Sequence, residues 1–526
     1  MRTGSVLLAI ALSCLLAAPL GASQRLTILH SNDVHGHLRP CSYPAIAAQG
    51  SGSMIAGSMQ GGSLFADLPA RRDVGGIARR AALAARIRAD LAKRGTPVWL
   101  VDAGDFFHYS AFSKEYHGEA DVIAMSRAGY DFATLGNHEF AVSLDQMRRM
   151  IADARFPFLC ANLVDSVTRR PLVTPWGVRR VGTVRVAVFG LLTNGAARAA
   201  AAKGLAVADV FTAAPAVVAR LRGPEKADIV VLISHCGESV DRELARRVPG
   251  IDVIVGGHSH TRLPQGEIVP WSDALRPDEV NGTVIVQTGE WGVELGRLDL
   301  LLAKNAAGRW RVDRYEERLI PVTSATPDDP AVAAVLDSLW APIASKYDEV
   351  LATATADFAS RGDELPQSDF FADAVRAACG ADVAFGGAGG VHWPIVAGPV
   401  TRAMLVDLDQ DSSTVVTFRM AGSEIRRFVQ RSRPVCSGLR YRMFRGRLEA
   451  ITVGDAPLDD GRAYSCAASS SLLRRLGGFG MSDQADTRKA WADVVMDAMR
   501  KAGTITPSYD GRRIVVDTLR TVGRAN

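Results

Sequence analysis

The chain has 526 residues, of which 48% are hydrophobic and 22% are charged, and its formal net charge at pH 7 is +5. This length is too great for one ordinary hydrophobic core, so the composition predicts a globular protein with two large domains. Lys and Arg are scattered rather than clustered, which argues against a nucleic-acid-binding groove.

The first 23 residues have the pattern of a secretory signal peptide. Arg2 precedes an apolar stretch at residues 6–12, and small residues follow as far as Ser23. Such a segment is too short to serve as a permanent membrane anchor, and no later segment is long and apolar enough to span a bilayer. We therefore predict an exported protein, periplasmic or extracellular, with lipid attachment at Cys14 as an alternative form of processing.

Residues 25–322 alternate short apolar runs with helix-like segments, for example residues 77–94 and 144–154. This alternation is typical of a layered α/β domain. Residues 41–65 interrupt the pattern with a stretch rich in Gly, Ser and Ala, which indicates an inserted loop.

A turn-rich joint separates this domain from the rest of the chain. Residues 323–350 form the predicted linker, and the apolar residues of 331–350 recur at helical spacing, which predicts a connecting helix. Residues 351–526 form the second predicted α/β domain. Within it, a helix at 369–378 leads to a strand at 383–385.

Five apolar runs of the first domain each end in side chains that bind metal ions. In an α/β sheet, groups beyond the carboxyl ends of the strands meet in one crevice. A pair of divalent cations requires a bridging carboxylate together with imidazole, carboxylate and amide ligands. The candidate residues are Asp33, His35, Asp105, Asn137, His138, His235, His258 and His260.

The order D-x-H, G-D, G-N-H-E, H and G-H-x-H resembles that of the calcineurin-like metallophosphoesterases. The strings LHSNDVHG at residues 29–36, GGIAR at 75–79 and LGNHEF at 135–140 narrow the resemblance to the secreted 5′-nucleotidase family. The resemblance covers essentially the whole mature chain. It implies a four-layer α/β/β/α sandwich followed by a second α/β domain that binds the substrate.

The resemblance also implies a role for each candidate residue. One metal ion would be held by Asp33, His35, Asp105 and His260. The other would be held by Asp105, Asn137, His235 and His258. His138 would be the catalytic residue beside the pair, and ligands of this mixed type accept Zn, Mn, Fe or Co. The remaining histidines examined, His37, His108 and His117, do not match ligand positions and are expected at the surface or in loops.

One departure from the family lies beside the predicted catalytic residue. Members usually follow N-H-E-F with an aspartate that pairs with the histidine and orients it, whereas this chain has Ala141. Without a partner, His138 would lose control of its tautomer. Glu139 and Asp145 are the nearby carboxylates that could replace the missing aspartate.

Larger departures lie in the predicted substrate pocket. The family places an arginine after a glycine-rich turn, and here the position is His392, which cannot form the bidentate contact of Arg with phosphate. The family also stacks the nucleobase between two aromatic rings, yet residues 409–413 contain none. The candidate substrate-binding residues are Gly389, Gly390, His392 and Phe479.

The sequence thus predicts a metal-dependent phosphoric ester hydrolase that acts on a small-molecule phosphate ester, either a nucleotide or a nucleotide sugar. One alternative is a phosphoesterase for non-nucleoside esters, and another is a non-catalytic surface protein that retains the metals. A hydrolase of sulfur oxidation shares the fold, but its distinctive pocket is not evident in this sequence.

Overall fold

The computed structural model describes residues 23–43, 71–271, 281–358, 365–386, 395–409, 413–475 and 477–516. The predicted signal peptide, most of the insertion at 41–65, and the predicted substrate-binding residues Gly389, Gly390 and His392 lie outside these ranges. Within the described ranges, no helix is both long enough and apolar enough to cross a bilayer.

The strands of the N-terminal half form two large sheets and one small one. They are β1 (Gln24–Ser31), β2 (Val98–Asp102), β3 (Phe132–Ala133), β4 (Leu163–Asp165), β5 (Trp176–Val181), β6 (Val184–Leu192), β7 (Leu205–Val207), β8 (Ile229–His235), β9 (Val253–Gly256), β10 (Glu267–Pro270), β11 (Gly282–Val286), β12 (Glu294–Lys304) and β13 (Trp310–Pro321). The first large sheet has the order β13-β12-β1-β2-β3, and the second has the order β10-β11-β9-β8-β6-β5. Strands β1, β2 and β3 are parallel, as are β6, β8, β9 and β11, so each sheet has an edge where several carboxyl ends meet.

The helices of this half cover the outer faces of the two large sheets. They are α1 (Ile77–Ala92), α2 (Ala111–Tyr116), α3 (Glu119–Ala128), α4 (Leu144–Asp153), α5 (Ala197–Ala201), α6 (Val210–Arg222) and α7 (Glu238–Arg247). Helix α4 begins with a capping box in which Ser143 and Gln146 satisfy each other's backbone N–H groups. The expected helices at 77–94 and 144–154 are therefore present. The first ends two residues earlier than expected, and the second ends one residue earlier.

Three hydrophobic clusters define four layers. Alternate residues of a strand face opposite sides of its sheet, so Leu29 packs with Met147 in the layer under α4, whereas Ile28 packs with Val231 between the two sheets. On the far side, Leu244 of α7 belongs to the cluster that covers the second sheet. The N-terminal half is thus an α/β/β/α sandwich, which confirms the predicted fold class.

The joint differs from the single connecting helix expected at 331–350. Helix α8 (Pro330–Trp340) is followed by a break and by the single turn α9 (Ala344–Tyr347), and a strand starts at Val350. Pro342 lies in the break. Because proline lacks a backbone N–H and its ring clashes with the preceding turn, it ends α8 despite the apolar spacing that continues beyond it.

The C-terminal half is a second α/β unit. Its strands are β14 (Val350–Ala354), β15 (Val383–Gly386), β16 (Gly398–Thr401), β17 (Thr414–Ala421), β18 (Val435–Ser437), β19 (Leu439–Phe444), β20 (Arg447–Val453), β21 (Ala456–Pro457), β22 (Ala463–Ser469), β23 (Met481–Ala490), β24 (Thr504–Ile505) and β25 (Arg513–Val516). Its helices are α10 (Pro366–Cys379), α11 (Gly422–Ser432), α12 (Ser470–Arg475) and α13 (Trp491–Ala502). The main sheet has the order β18-β15-β22-β17-β23. Helix α10 and strand β15 fall where the sequence predicts them.

Candidate active site

The predicted ligands converge where strands of both large sheets end. Asp33 follows β1, Asp105 follows β2 and Asn137 follows β3, while His235 is the last residue of β8. The loop after β9 brings His258 and His260 to the same place. Because these strands run parallel within their sheets, residues distant in sequence meet in one crevice between the sheets.

The first group of potential ligands consists of Asp33, His35 and His260, all buried. The Nε2 atoms of His35 and His260 lie 3.1 Å apart, and Asp33 Oδ1 lies 3.3 Å from His260 Nε2. Oδ1 of Asp33 is also 4.0 Å from His35 Nε2. Two imidazole nitrogens and one carboxylate oxygen therefore surround a single point.

The second group consists of Asp105, His235 and His258. Asp105 Oδ2 lies 3.1 Å from His235 Nε2, and Asn137 Oδ1 lies 3.3 Å from the same nitrogen. Asp105 also belongs to a third group with His35 and His138. Its carboxylate thus lies between the two clusters, where a bridging ligand would have to be.

Neighbouring groups fix the orientation of two ligand rings. His235 Nδ1 donates a hydrogen bond to the carbonyl oxygen of Ala103 at 2.7 Å, so its Nε2 faces Asp105. Nδ1 of His260 lies 2.6 Å from Oε2 of Glu290. Outer partners of this kind set the tautomer of a metal-binding histidine and raise its basicity.

Glu139 joins two ligand-bearing loops from the side away from the crevice. Its buried carboxylate accepts hydrogen bonds from the backbone N–H groups of Asp105, Phe106 and Gly136. The same loops meet at Gly104 and Gly136. A Cβ atom on Gly104 would lie 2.7 Å from the nitrogen of Gly136, so glycine is required by the packing of the two loops against each other.

The backbone at the site is unusual. Five predicted ligands, none of them glycine, have positive φ angles between 49° and 74°: Asp33, His35, Asp105, His258 and His260. Left-handed backbone at non-glycine residues costs about 1–3 kcal/mol each and persists only where the surrounding structure imposes it. Such strain is concentrated at functional sites. The surrounding structure therefore holds these loops in a strained backbone conformation that directs the side chains of the predicted ligands into the crevice.

The charges of the site favour the metal-binding forms of Asp105 and His258 but the protonated form of His235. Burial opposes the ionised form of Asp105, but the imidazoles of His235 and His138 outweigh it and hold the pKa of this carboxyl well below its usual range. The pKa of His235 rises to about 10 because the carboxylate of Asp105 overcomes the effect of burial. Burial lowers the pKa of His258 to about 4, which keeps that imidazole neutral.

The donor set fits divalent cations. Neutral imidazoles, carboxylates and one amide oxygen are ligands that Zn, Mn, Fe and Co accept. The structure contains three groups of such residues. Within each group, the potential ligand atoms lie within 4.8 Å of one another, and two of the groups share Asp105. The crevice therefore contains residues that could hold a divalent cation.

The predicted catalytic residue His138 lies at the rim of this crevice. Its backbone N–H donates to Asp105 Oδ1 at 2.8 Å, and its Nε2 lies 3.9 Å from Asp105 Oδ2. Neither proposed substitute for the missing aspartate reaches its ring, because Glu139 is bound to backbone amides and the side chain of Asp145 is 82% exposed beside Arg148.

Sequence reasoning missed three residues near the ligands. His108 contacts His138, and Glu290 contacts His260. His37 lies in a loop but is buried, and its ring stacks on Trp291 with 4.8 Å between the ring centroids. Of the three histidines assigned to the surface or to loops, only His117 is exposed. The signal that could have found Glu290 was its place after a buried strand, β11.

Phe479 is the predicted substrate-binding residue that the structure describes. Its ring is partly buried against Phe428, with 5.2 Å between centroids, and the guanidinium of Arg427 lies 4.8 Å from the centroid. The ring is thus held between the core and a cation. Its role in binding a substrate remains a prediction.

Two family profiles match the chain in tandem. The calcineurin-like phosphoesterase profile matches residues 26–262, and the profile of the 5′-nucleotidase C-terminal domain matches residues 349–484. The chain belongs to the 5′-nucleotidase family. Its enzymatic class follows from this membership: 5′-nucleotidases are phosphoric ester hydrolases, and their metallophosphoesterase domain uses divalent metal.

Relatives within the 5′-nucleotidase family resemble the chain over most of their length. A 5′-nucleotidase of Vibrio cholerae is 28% identical over 482 residues, which are 83% of this chain and 80% of the relative. Protein UshA of Yersinia enterocolitica is 27% identical over 509 residues, which are 86% of this chain and 86% of the relative.

Solved structures show the same two-domain fold. A 5′-nucleotidase precursor of Thermus thermophilus has a TM-score of 0.74 at 25% identity, covering 94% of this chain and all of the other. The sulfate thiohydrolase SoxB of Thermus thermophilus, in complex with glycerol, has a TM-score of 0.72 at 23% identity, covering 95% and 97%. The second likeness concerns the fold alone.

Proposed function

We propose that this protein is an exported two-metal hydrolase of phosphate esters whose substrates are nucleotides or nucleotide sugars. The observation that carries the proposal is the shared position of Asp105 between two groups of potential ligands. Asp33, His35 and His260 would complete one metal site. Asn137, His235 and His258 would complete the other.

When bound, a pair of divalent cations neutralises phosphate charge and lowers the pKa of water enough to provide a nucleophile near neutral pH. The chain's own groups then position the reaction. Glu139 keeps the loops of Asp105 and Asn137 at a fixed separation. His138 directs Nε2 into the crevice, where an N–H group can donate to an oxygen of the reacting phosphate or of the leaving group.

The relatives support the choice of substrate. Several are 5′-nucleotidases by name, and the profile of their C-terminal domain matches residues 349–484 of this chain. His392 in place of the family's arginine supports weaker phosphate recognition, because an imidazole forms one directional hydrogen bond instead of two. The signal-peptide pattern of residues 1–23 supports export to the periplasm or beyond the cell.

The decisive experiment combines metal analysis with turnover. Purified protein is expected to bind about two divalent cations per chain, and chelation is expected to abolish hydrolysis of an aryl phosphate and of adenosine 5′-monophosphate. Asp105→Asn should lose both metal binding and hydrolysis. Asparagine keeps the shape of the side chain and tolerates the left-handed backbone, but it lacks the charge of the bridging carboxylate. Asp145→Asn, at an exposed carboxylate on α4, is the matched control and should behave as the parent.

Full turnover by the chelated protein or by Asp105→Asn would refute the two-metal assignment. Two bound metals without turnover of any phosphate ester would instead support the non-catalytic binding protein. These outcomes separate the metal site from the chemistry assigned to it.

A further inference from the structure

His108 and His138 make a contact that the ligand set does not explain. Their Nδ1 atoms lie 2.7 Å apart, which is a hydrogen-bond distance, so one ring donates an N–H and the other accepts it. The rings come from different loops: His108 follows β2, and His138 follows β3. Among the described residues, no other side chain forms a hydrogen bond with Nδ1 of His138.

This contact determines which edge of the His138 ring faces the ligands. Because Nδ1 is engaged by His108, Nε2 is the nitrogen directed at Asp105, 3.9 Å from Oδ2. A turn of the ring about its Cβ–Cγ bond would break the Nδ1 contact and point a carbon into the crevice. The hydrogen bond thus holds the ring in one of two otherwise similar orientations.

His108 is itself held firmly. Its backbone N–H donates to Ser113 Oγ at 2.9 Å, and its ring lies 4.2 Å from the ring of Tyr109. Both residues have positive φ angles, 94° and 71°. Two consecutive non-glycine residues in this region are strained by about 1–3 kcal/mol each, and such strain is typical of segments that present a functional group.

We propose that His108 is a positioning residue for phosphate ester hydrolysis, which holds the His138 ring so that Nε2 faces the reacting phosphate. The inference deepens the proposed function and rests on it. Either direction of the hydrogen bond gives the same placement of Nε2. A neutral imidazole lacks the charge of a carboxylate, so His108 orients His138 without fixing a negative charge beside it.

The test compares kcat, KM and metal content among variants of the full, metal-loaded protein. His138→Ala should lower kcat by about 10²–10⁴-fold. His108→Ala should lower kcat by about 10–100-fold, with KM and metal content unchanged. The double variant should be no slower than His138→Ala, because His108 acts only through His138.

His108→Asn provides a conservative rescue. Its amide places a polar atom at the same number of bonds from the backbone as Nδ1 of histidine, so kcat should return most of the way to that of the parent. His108→Gln fills similar space, but its amide lies one bond farther from the backbone than Nδ1 of histidine. Its kcat should therefore be as low as that of His108→Ala. His108→Gln replaces the alanine variant if that variant does not fold.

A crystal structure of His108→Ala loaded with zinc gives a readout independent of activity. The His138 ring should rotate away from its present orientation or occupy two orientations. His117→Asn is the matched control, because His117 is an exposed histidine at the end of α2 with a φ of 53° that asparagine tolerates. It should retain the parent's kcat and the His138 orientation.

The outcomes separate this inference from the proposed function. If His138→Ala is slow while His108→Ala and His108→Gln keep the parent's kcat, the positioning role is refuted and the proposed function stands. A double variant much slower than His138→Ala would also refute it, since His108 would then act independently. If His138→Ala keeps full kcat, the role assigned to His138 fails, and this inference fails with it.

Discussion

Glu290 and His260 make a close contact at the candidate metal site: Oε2 of the carboxylate lies 2.6 Å from Nδ1 of the imidazole. On the opposite edge of the ring, Nε2 lies 3.3 Å from Oδ1 of Asp33. The side chain of Glu290 is fully buried, so no water competes for this contact. If His260 binds a cation, Glu290 would orient the ring and increase its basicity as a ligand.

We expect Glu290→Gln to weaken metal binding by about 10–100-fold, because the amide orients His260 less firmly and supplies no negative charge. Metal content measured after dialysis against graded chelator concentrations checks this. Glu267→Gln is the matched control, since Glu267 pairs with Arg242 away from the ligands. Equal metal retention in the two variants would show that Glu290 has no part in the site.

Glu139→Gln should destabilise the loops that carry Asp105 and Asn137. One carboxylate oxygen becomes an NH₂ group that faces either the backbone N–H of Phe106 or those of Asp105 and Gly136, so donors then meet donors. The expected loss is about 1–3 kcal/mol in the free energy of unfolding. Denaturant unfolding of the metal-free variant measures it, and an unchanged midpoint would contradict the structural role of Glu139.

Asp121 is expected to make stability fall as pH rises. Its carboxyl group on α3 is fully buried, neither oxygen has a hydrogen-bond partner among the described residues, and burial raises its pKa well above the usual value of 3.8. Above pH 3.8 the unfolded chain releases a proton that the folded state keeps. The folded state therefore loses about 1.4 kcal/mol per pH unit until the raised pKa is reached.

Asp121→Asn removes this dependence. The difference in Tm between the variant and the parent should therefore increase in favour of the variant as the pH rises above 3.8, measured in chelator so that metal binding does not contribute. Asp145→Asn, at an exposed carboxyl, should show no such trend. A difference in Tm that stays constant with pH would mean that Asp121 ionises normally in the folded protein.

Substrate selectivity is expected to be weak among nucleobases. Stacking on an aromatic ring contributes roughly 1–3 kcal/mol per base, and residues 409–413 contain no aromatic side chain. The values of kcat/KM for the four common nucleoside 5′-monophosphates should lie close together.

His392→Arg should lower KM for nucleotides more than for an aryl phosphate, because it restores a bidentate contact. Strong preference for one base, retained in His392→Ala, would contradict this account.

The convergence of the candidate ligands could be predicted because each of these residues follows a short apolar run in the sequence. A buried parallel strand and the polar residue at its carboxyl end are adjacent in the chain, so Asp33 and Asp105 carry a local signal. The convergence of their loops then follows from sheet geometry alone. The same reasoning placed α10 and β15.

The partners of the ligands could not be predicted in this way. His108 meets His138 and Glu290 meets His260 only because loops adopt particular left-handed conformations, and no periodicity in the sequence encodes such contacts. The close packing of two loops at Gly104 is another contact that the sequence pattern does not encode. The apolar spacing of residues 331–350 predicts one connecting helix, but Pro342 interrupts it, because proline lacks the backbone N–H that continues a helix.

The left-handed backbone of the five predicted ligands also restricts how this site can change during evolution. Glycine, asparagine and aspartate adopt that conformation more readily than other residues, whereas β-branched residues are strongly disfavoured. In a homologous protein that no longer bound metal, positions 33, 35, 105, 258 and 260 would be replaced by Asn, Asp or Gly more often than by Val, Ile or Thr. Inactive paralogues should be recognisable by those substitutions even where overall similarity is low.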